Sequence, residues 1–254
     1  MNARETDPQR RSWWHRLQEN GHTLLLIGLL QHLFIGTVLV DRGSYARLIW
    51  PINMLLLGAL SGALFAQQQR RGRILKATLN ISVCIAPIWL VAVAPSPERM
   101  MMLSGLYVVF FVTLFIETLQ FMARPGKINA DLIVSAINGQ LLLLESAIFT
   151  MQGLYYVFPN SFTGITDGSY TDRYLDMVYF CTIVLTSVGF GDIAPSHHAT
   201  RLAVSIFALT SHIYSVVIVG VLIGRYTGSL PPFLTQPSPK PSKSASTQDP
   251  GQLL

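Results

Sequence analysis

A seven-residue segment with alternating glycines, residues 186–192 (TSVGFGD), lies between two apolar runs of the sequence. Gly189 and Gly191 alternate in it with Val188 and Phe190. Because glycine adopts positive φ about as readily as negative φ, such a segment can alternate between left- and right-handed backbone. Successive carbonyls then point the same way, and a column of carbonyl oxygens can replace the water shell of a cation. One chain offers too few oxygens for each site, so the segment predicts four copies around one axis.

The segment resembles the selectivity filter of potassium channels, which usually reads TTVGYGD or its Phe variant. Ser187 stands where the second threonine is commonest, and Phe190 occupies the position of Tyr or Phe. Asp192 is followed three residues later by Pro195, which is also similar to the family. The resemblance covers residues 128–226 and implies a homotetrameric channel for K⁺. The alternative is a tight re-entrant turn that binds no ion.

The resemblance also implies roles for the residues of the segment. Backbone carbonyls would coordinate K⁺, the Ser187 hydroxyl would add the innermost oxygen, and serine lacks the methyl group that stiffens χ1 of threonine. The side chains of Val188 and Phe190 would point away from the ion and pack against the pore helix. The coordinating residues would be Ser187, Val188, Gly189, Phe190 and Gly191. The residues of filter support and outer mouth would be Thr186, Asp192 and Tyr179. Asp192 would either pair with Tyr179 or belong to a solvated ring that concentrates cations.

The predicted pore-lining helix departs from the family pattern. Ser211 occupies the place where many members have a glycine hinge, and His212 follows it. A bend could instead occur at Gly220, or the helix could remain straight. The reference pKa of histidine, about 6.5, would allow His212 to make the gate sensitive to protons. These three residues are the candidates for gating, and an unidentified gating ligand is a candidate partner.

The composition indicates a membrane protein. Half of the 254 residues are hydrophobic and 12% are charged, against about 25% charged residues in soluble domains. The net charge of +5 does not indicate nucleic acid, since the basic residues lie between apolar runs, where membrane topology explains them. Cys84 and Cys181 both lie inside apolar runs, which predicts neither a disulfide nor a zinc site. The only ion expected is permeant K⁺, without a cofactor.

The predicted fold is all-α, with six transmembrane helices, a re-entrant pore helix and a filter loop. A helix needs roughly 20 residues to cross the hydrocarbon core. The runs that meet this length are 22–40, 48–66, 74–94, 100–122, 128–158 and 198–224. Residues 173–185 are too few to span and predict a half-helix that precedes the filter, after a turret at 159–172. Lys and Arg accumulate on the cytoplasmic side. Placing both termini in the cytoplasm puts 13 of the 18 basic residues there, as expected for a multi-pass protein of the cell membrane.

Four segments are expected along the chain. Residues 1–21 form a basic cytoplasmic segment, either an interfacial helix or a tail, and the apolar run after it reads as a retained helix rather than a cleaved signal peptide. Residues 22–127 form a four-helix module, and 128–226 form the pore domain. Residues 227–254 are rich in Pro, Ser and Lys and predict a disordered cytoplasmic tail.

The fourth apolar run lacks the charges of a voltage sensor. A sensor needs several charges in the membrane field, each worth about 2.3 kcal/mol per 100 mV. Residues 100–122 contain no Lys or Arg, and Glu117 is their one charge. Glu117 lies near the predicted inner end, where it could snorkel or pair with Arg124. The run therefore predicts weak or absent voltage sensitivity, and the four helices are either a scaffold or a sensor of lipid, stretch or a small ligand.

Three other functions compete with a potassium channel. A non-selective cation pore usually replaces the aromatic residue or a glycine of the filter, whereas residues 189–191 are intact. A subunit of a potassium transporter would be expected to carry four degenerate pore loops, and this sequence has one. An enzyme is disfavoured because no cluster of His, Asp, Glu or Cys has the spacing of a metal site or a catalytic triad.

Overall fold

The computed structural model describes residues 20–39, 50–66, 73–92, 96–124 and 130–228. The predicted N-terminal segment lies almost entirely outside these residues, as does the predicted tail from residue 229 onward. The helices and strands, numbered in chain order, are α1 (Gly21–Leu39), α2 (Trp50–Ala66), α3 (Arg73–Ala92), α4 (Pro97–Ala123), α5 (Ala130–Val157), β1 (Phe162–Thr163), α6 (Tyr170–Leu185), β2 (Ala194–Pro195) and α7 (His198–Gly228).

Three of the described helices are long and apolar enough to cross a membrane, namely α4, α5 and α7. The described apolar parts of α1 and α2, Gly21–Phe34 and Pro51–Gly62, are shorter. With 16 residues, α6 is only about 24 Å long at 1.5 Å per residue, which is less than the roughly 30 Å of the hydrocarbon core. It therefore has the length of a helix that enters the membrane and returns.

Capping side chains define where α4 and α6 begin. At α4, the Ser96 side chain accepts from a backbone amide of the first turn, and Pro97 opens the helix, where its missing N–H costs nothing. At α6, Ser169 and Asp172 form a reciprocal capping box. The expected start of the half-helix at residue 173 was three residues late. Ser169 followed by Asp172 is a start signal that the sequence carries and that places the helix correctly.

The core lies where α4 packs along α5, which is the most extensive interface among the described elements. Aromatic rings fill it. The rings of Phe111 and Phe149 stack with centroids 5.6 Å apart, and Tyr107 lies 4.7 Å from Phe149. All three side chains are buried. Aromatic pairs at such distances contribute about 0.5–1.5 kcal/mol beyond the area that they bury, so this interface fixes the pore-domain helix α5 against the fourth helix.

Polar side chains inside the helical bundle pair with one another. His32 on α1 and Glu145 on α5 meet with Nδ1 and Oε1 2.7 Å apart, and both are essentially inaccessible to solvent. On α2, Asn53 accepts from the Gln31 side chain at 3.1 Å. Because such groups are costly when they face lipid, their pairing explains why the first helices tolerate them.

Glu117 pairs with Lys76 of α3; the expected partner Arg124 was wrong. The reason is geometric, since α3 lies along α4 and brings Lys76 to the carboxylate. Arg124 is instead the C-terminal cap residue of α4, and its carbonyl accepts from Arg225 at the end of α7. The one charge between residues 100 and 122 is thus paired with a lysine of the neighbouring helix.

A two-stranded antiparallel sheet closes the pore loop on its outer side. Phe162 pairs with Pro195 and Thr163 with Ala194. Ser196 adds a backbone bond to the Ser161 carbonyl at 2.9 Å. The sheet joins the segment after α5 to the segment after the filter, so both ends of the loop that carries α6 are held together.

Candidate functional site

The filter segment leaves the C-terminus of α6 in a backbone conformation that alternates at every second residue. Ser187, Gly189 and Gly191 have φ of +62°, +56° and +81°. The glycines adopt this region without strain, whereas an L-residue such as Ser187 pays a conformational cost there. Alternation of hand at successive residues is the geometry in which carbonyls can share one direction. The positive φ of Ser187 extends this alternating conformation to a residue at which the glycines alone would not indicate it.

Backbone hydrogen bonds tie the start of the filter to the last turn of α6. The amides of Val188 and Gly189 both donate to the Ile183 carbonyl, at 2.8 and 3.0 Å. The Ser187 amide donates to the Val184 carbonyl at 3.0 Å. Their amide hydrogens are therefore turned toward the helix. The carbonyls and the Ser187 hydroxyl are hard oxygen donors, which suit an alkali cation.

The side chains that alternate with the filter glycines, Val188 and Phe190, are exposed in the single chain. Val188 is 54% exposed and Phe190 is 71% exposed, so the expectation that they pack against the pore helix is not met within one chain. All residues from Thr186 to Asp192 are exposed in the single chain. A Cβ added to Gly189 would meet nothing within 4 Å. This apolar rim has no cover from the described part of the same chain.

The side chain of Tyr179 on α6 lies near Asp192 at the end of the filter. A second contact holds the backbone here. Gly164 has φ +81°, and a Cβ on it would lie 2.0 Å from the Asp192 carbonyl oxygen. Only glycine fits this close approach. The end of the filter is thus packed closely against the backbone after β1 and lies near a side chain of α6.

The three residues proposed for gating lie in different environments on α7. Ser211 is fully buried, while His212 and Gly220 are exposed. The helix is continuous through Gly220. The Ser211 hydroxyl donates to the carbonyl of Leu185, the last residue of α6, at 3.2 Å, and accepts from Nε2 of Gln140 on α5 at 2.7 Å. Of these three candidates for gating, Ser211 is the one that contacts the last residue of α6, directly before the filter.

Several residues that position the site have roles that their local sequence does not indicate. Glu145 and Gln140 are visible as polar residues in an apolar helix, yet nothing in their spacing identifies His32 and Ser211 as partners. Gly139 has a role of the same kind, since a Cβ there would lie 2.0 Å from the Tyr214 hydroxyl. That hydroxyl donates to a backbone carbonyl one turn away at 2.8 Å. A glycine facing an aromatic residue on a neighbouring helix is a weak signal of such close packing.

Side chains offer no alternative metal centre in the described part of the chain. No group of three or more His, Cys, Asp or Glu residues there could hold a metal ion. Cys84 and Cys181 are unbridged. At the pore-helix N-terminus, hydrogen bonds from the Ser169 hydroxyl and amide lower the pKa of Asp172. Of the arrangements in the described residues, the filter backbone is the one that can bind a dehydrated cation.

Comparison with known proteins gives the same location. Residues 143–227 match the family described as ion channel. Two rice proteins (Oryza sativa subsp. japonica) are similar over short stretches. "Two pore potassium channel a" is 42% identical over 40 residues, and "Two pore potassium channel b" is 34% identical over 58 residues. "Two-pore potassium channel 1" of Arabidopsis thaliana is 36% identical over 58 residues.

These alignments cover 16–23% of this chain and only 12–16% of the relatives. The whole relatives therefore say nothing about the first four helices. The family match nevertheless spans the part of the chain that carries the short helix α6, the alternating backbone after it and most of α7. The resemblance to the potassium channel pore family is confirmed, and the chain is a membrane protein with an ion channel domain.

Proposed function

We propose that the protein is a K⁺-selective channel that conducts passively, without enzymatic chemistry, through a homotetrameric pore. The observation that carries the proposal is the filter backbone, in which positive φ recurs at Ser187, Gly189 and Gly191. A run of carbonyls in this geometry provides several successive oxygen layers for a dehydrated ion. Ions would bind at the carbonyls of residues 187–190, with the Ser187 hydroxyl innermost. Gly191 and Asp192 would form the outer mouth.

The exposed surfaces of the single chain support assembly into a tetramer. Only 11% of the most apolar stretch of α7 is buried, and Val188 and Phe190 project from the filter without cover. Exposed apolar faces of this size belong in lipid or against other subunits. Four copies around the filter axis would cover the rim and complete the oxygen layers. In this assembly six helices of each subunit cross the cell membrane, and both termini lie in the cytoplasm.

Selectivity is tested by reversal potentials of the purified protein in planar bilayers with opposed K⁺ and Na⁺ gradients. The expected reversal follows the K⁺ gradient. A reversal that follows Na⁺ equally would replace the proposal with a non-selective cation channel. A flux with no passive current would favour a transporter subunit.

Gly189→Ala tests the filter backbone itself. A Cβ at this position meets nothing within 4 Å, so steric conflict within the chain is not the cause of any loss. The cost is the left-handed φ of +56°, about 1–2 kcal/mol for an L-residue and repeated in each subunit. We expect the K⁺ current to disappear. Gly105→Ala is the matched control, because Gly105 lies within α4 with open space around its Cβ position and without positive φ. Equal currents from both variants would contradict the proposed filter geometry.

We also propose that the conductance depends only weakly on voltage. The fourth helix carries one charge between residues 100 and 122, and that charge is paired with Lys76. A carboxylate and an ammonium that move together carry no net charge through the field. The conductance–voltage relation should therefore be shallow. A steep relation that requires several gating charges per subunit would contradict this part of the proposal.

A further inference from the structure

The last turn of the pore helix has one carbonyl that depends on another helix. The last four carbonyls of a helix have no partner within it. In α6 the carbonyls of residues 182–184 accept from backbone amides of residues 186–189, just beyond the helix end. The carbonyl of Leu185 receives its hydrogen bond from the Ser211 hydroxyl of α7. A side chain of the pore-lining helix thus completes the base on which the filter stands.

The Ser211 hydroxyl also connects a third helix. A serine hydroxyl has one proton to donate and lone pairs to accept with. Since the proton goes to Leu185, the lone pair accepts from Nε2 of Gln140 on α5. Both partners meet at an oxygen that is shielded from solvent. The result is a directional chain of hydrogen bonds from Gln140 through Ser211 to Leu185, here called the Gln140–Ser211–Leu185 relay.

The relay lies where buried side chains of α7 are hydrogen-bonded to α5. Three residues farther along, Tyr214 is buried, and its hydroxyl donates to the Ala136 carbonyl at 2.8 Å. Gly139 has no side chain and lets this ring approach the backbone of α5. Beyond Tyr214, none of the described side chains of α7 up to Arg225 is fully buried. Motion of the cytoplasmic half of α7 would therefore act about a fixed section that includes Ser211.

We infer that Ser211 is a positioning residue that transmits the position of α7 to the base of the selectivity filter through its hydroxyl. Leu185 is followed directly by Thr186 and the filter, and the neighbouring Ile183 carbonyl holds the amides of Val188 and Gly189. A displacement of Ser211 pulls on this turn and changes the carbonyls that face the ion. At the position where the resemblance implies a flexible glycine hinge, this chain has Ser211, whose hydrogen bonds hold α7 to α5 and α6. The inference rests on the proposed K⁺ conduction.

Single-channel recordings of the full-length protein in planar bilayers test the inference. Ser211→Ala removes the relay atom and leaves the rest of α7 unchanged. Ser211→Ala removes two hydrogen bonds of a buried hydroxyl, each worth about a tenfold change in an equilibrium, so we expect the ratio of conducting to non-conducting time to change by about ten- to a hundredfold. We also expect a lower K⁺ to Na⁺ permeability ratio, which a general loss of stability would not alter. Ser205→Ala is the matched control, because the Ser205 hydroxyl is exposed and bonds only within its own helix, to the Arg201 carbonyl.

Gln140→Met provides a second perturbation that leaves the bond from Ser211 to Leu185 in place. It should shift the dwell-time ratio in the same direction as Ser211→Ala, and the double variant should be no worse than Ser211→Ala alone, because both changes break one relay. Dwell times and selectivity of Ser211→Ala equal to those of Ser205→Ala would overturn the inference. If Ser211→Ala does not assemble, unchanged behaviour of Gln140→Met would overturn it instead. Failure of the unmodified protein to select K⁺ would refute the proposed function, whereas a K⁺-selective protein insensitive to both variants would refute only the relay.

Discussion

The buried pair of His32 and Glu145 gives the sharpest prediction about stability. The pair joins α1 to α5 with Nδ1 and Oε1 2.7 Å apart, and the two side chains are 1% and 0% exposed. Rings of Phe111, Phe149 and Tyr174 surround the imidazole, with centroids about 6 Å away. Removal of one member leaves the other buried without its partner, whereas removal of both leaves no unpaired group. The single and the double variants should therefore have opposite consequences.

His32→Leu leaves the carboxyl of Glu145 without its partner in an apolar environment. Breaking a buried pair by removal of one member costs about 3–5 kcal/mol, a large part of the roughly 5–15 kcal/mol that stabilises a typical protein. Replacing both members by apolar residues of similar volume is neutral or stabilising, by about 1–4 kcal/mol. The double variant His32→Leu/Glu145→Met should thus recover the stability that the single variant loses.

Thermal unfolding of the purified protein in one detergent, followed by circular dichroism, measures both effects. For a chain of this size about 1 kcal/mol corresponds to roughly 2–4 °C, so His32→Leu should lower Tm by roughly 6–20 °C. His212→Leu is the control, since it makes the same substitution at an exposed histidine of α7 and should change Tm little. A single variant as stable as this control, or a double variant no more stable than the single one, would refute the reasoning.

Three further predictions concern the end of the filter, the start of α6 and the end of α4. Gly164→Ala places a Cβ 2.0 Å from the Asp192 carbonyl oxygen at φ +81°, and the K⁺ current in bilayers should be lost; an unaltered current would show that the contact is not needed. Ser169→Ala removes the cap of α6 and should cost about 1 kcal/mol; it should also raise the lowered pKa of Asp172 partway toward its ordinary value in an NMR titration, because the backbone amide of residue 169 still donates to the carboxylate. Because this pKa is lowered in the folded state, the stabilisation is present above about pH 4 and lost as the pH falls below it; an equal pKa in both proteins would contradict the assignment. Arg225→Met removes the donor to the last carbonyls of α4 and should lower Tm by the equivalent of about 2 kcal/mol, and a Tm equal to that of the unmodified protein would contradict this role.

Local patterns in the sequence account for the elements of the pore region. Residues 186–192 carry their backbone requirement in the glycines themselves, so the turn from helix to filter can be predicted from these residues alone. The length of each apolar run likewise indicates a helix that spans or falls short. The start of α6 is readable too, since Ser169 and Asp172 form a recognisable capping box. These features depend only on residues a few positions apart.

Contacts between distant residues could not be read in the same way. His32 and Glu145 are 113 positions apart, and periodicity identifies neither as the partner of the other. In the sequence, Gly164 cannot be distinguished from an ordinary turn glycine. Its role follows from the backbone of Asp192, which lies beside it in the structure. Lys76 belongs by its position to the basic residues that set topology, and only the packing of α3 on α4 brings it to Glu117. In each case the missing information is the relative position of two helices or loops.

The four-helix module differs from a voltage sensor in the contacts that α4 makes as well as in the charges that it carries. A sensor helix must slide, and its charges must exchange partners as it does so. Here α4 is fixed along its length: Glu117 is paired with Lys76, aromatic rings interlock with α5, and the Arg225 side chain holds its last carbonyls. Those carbonyls carry the negative end of the helix dipole, which favours a guanidinium there. In the proposed channel, α4 would therefore fasten the C-terminal end of α7 while Ser211 fastens its middle to α6, and a stimulus that opens the pore would act on α7 between these two points.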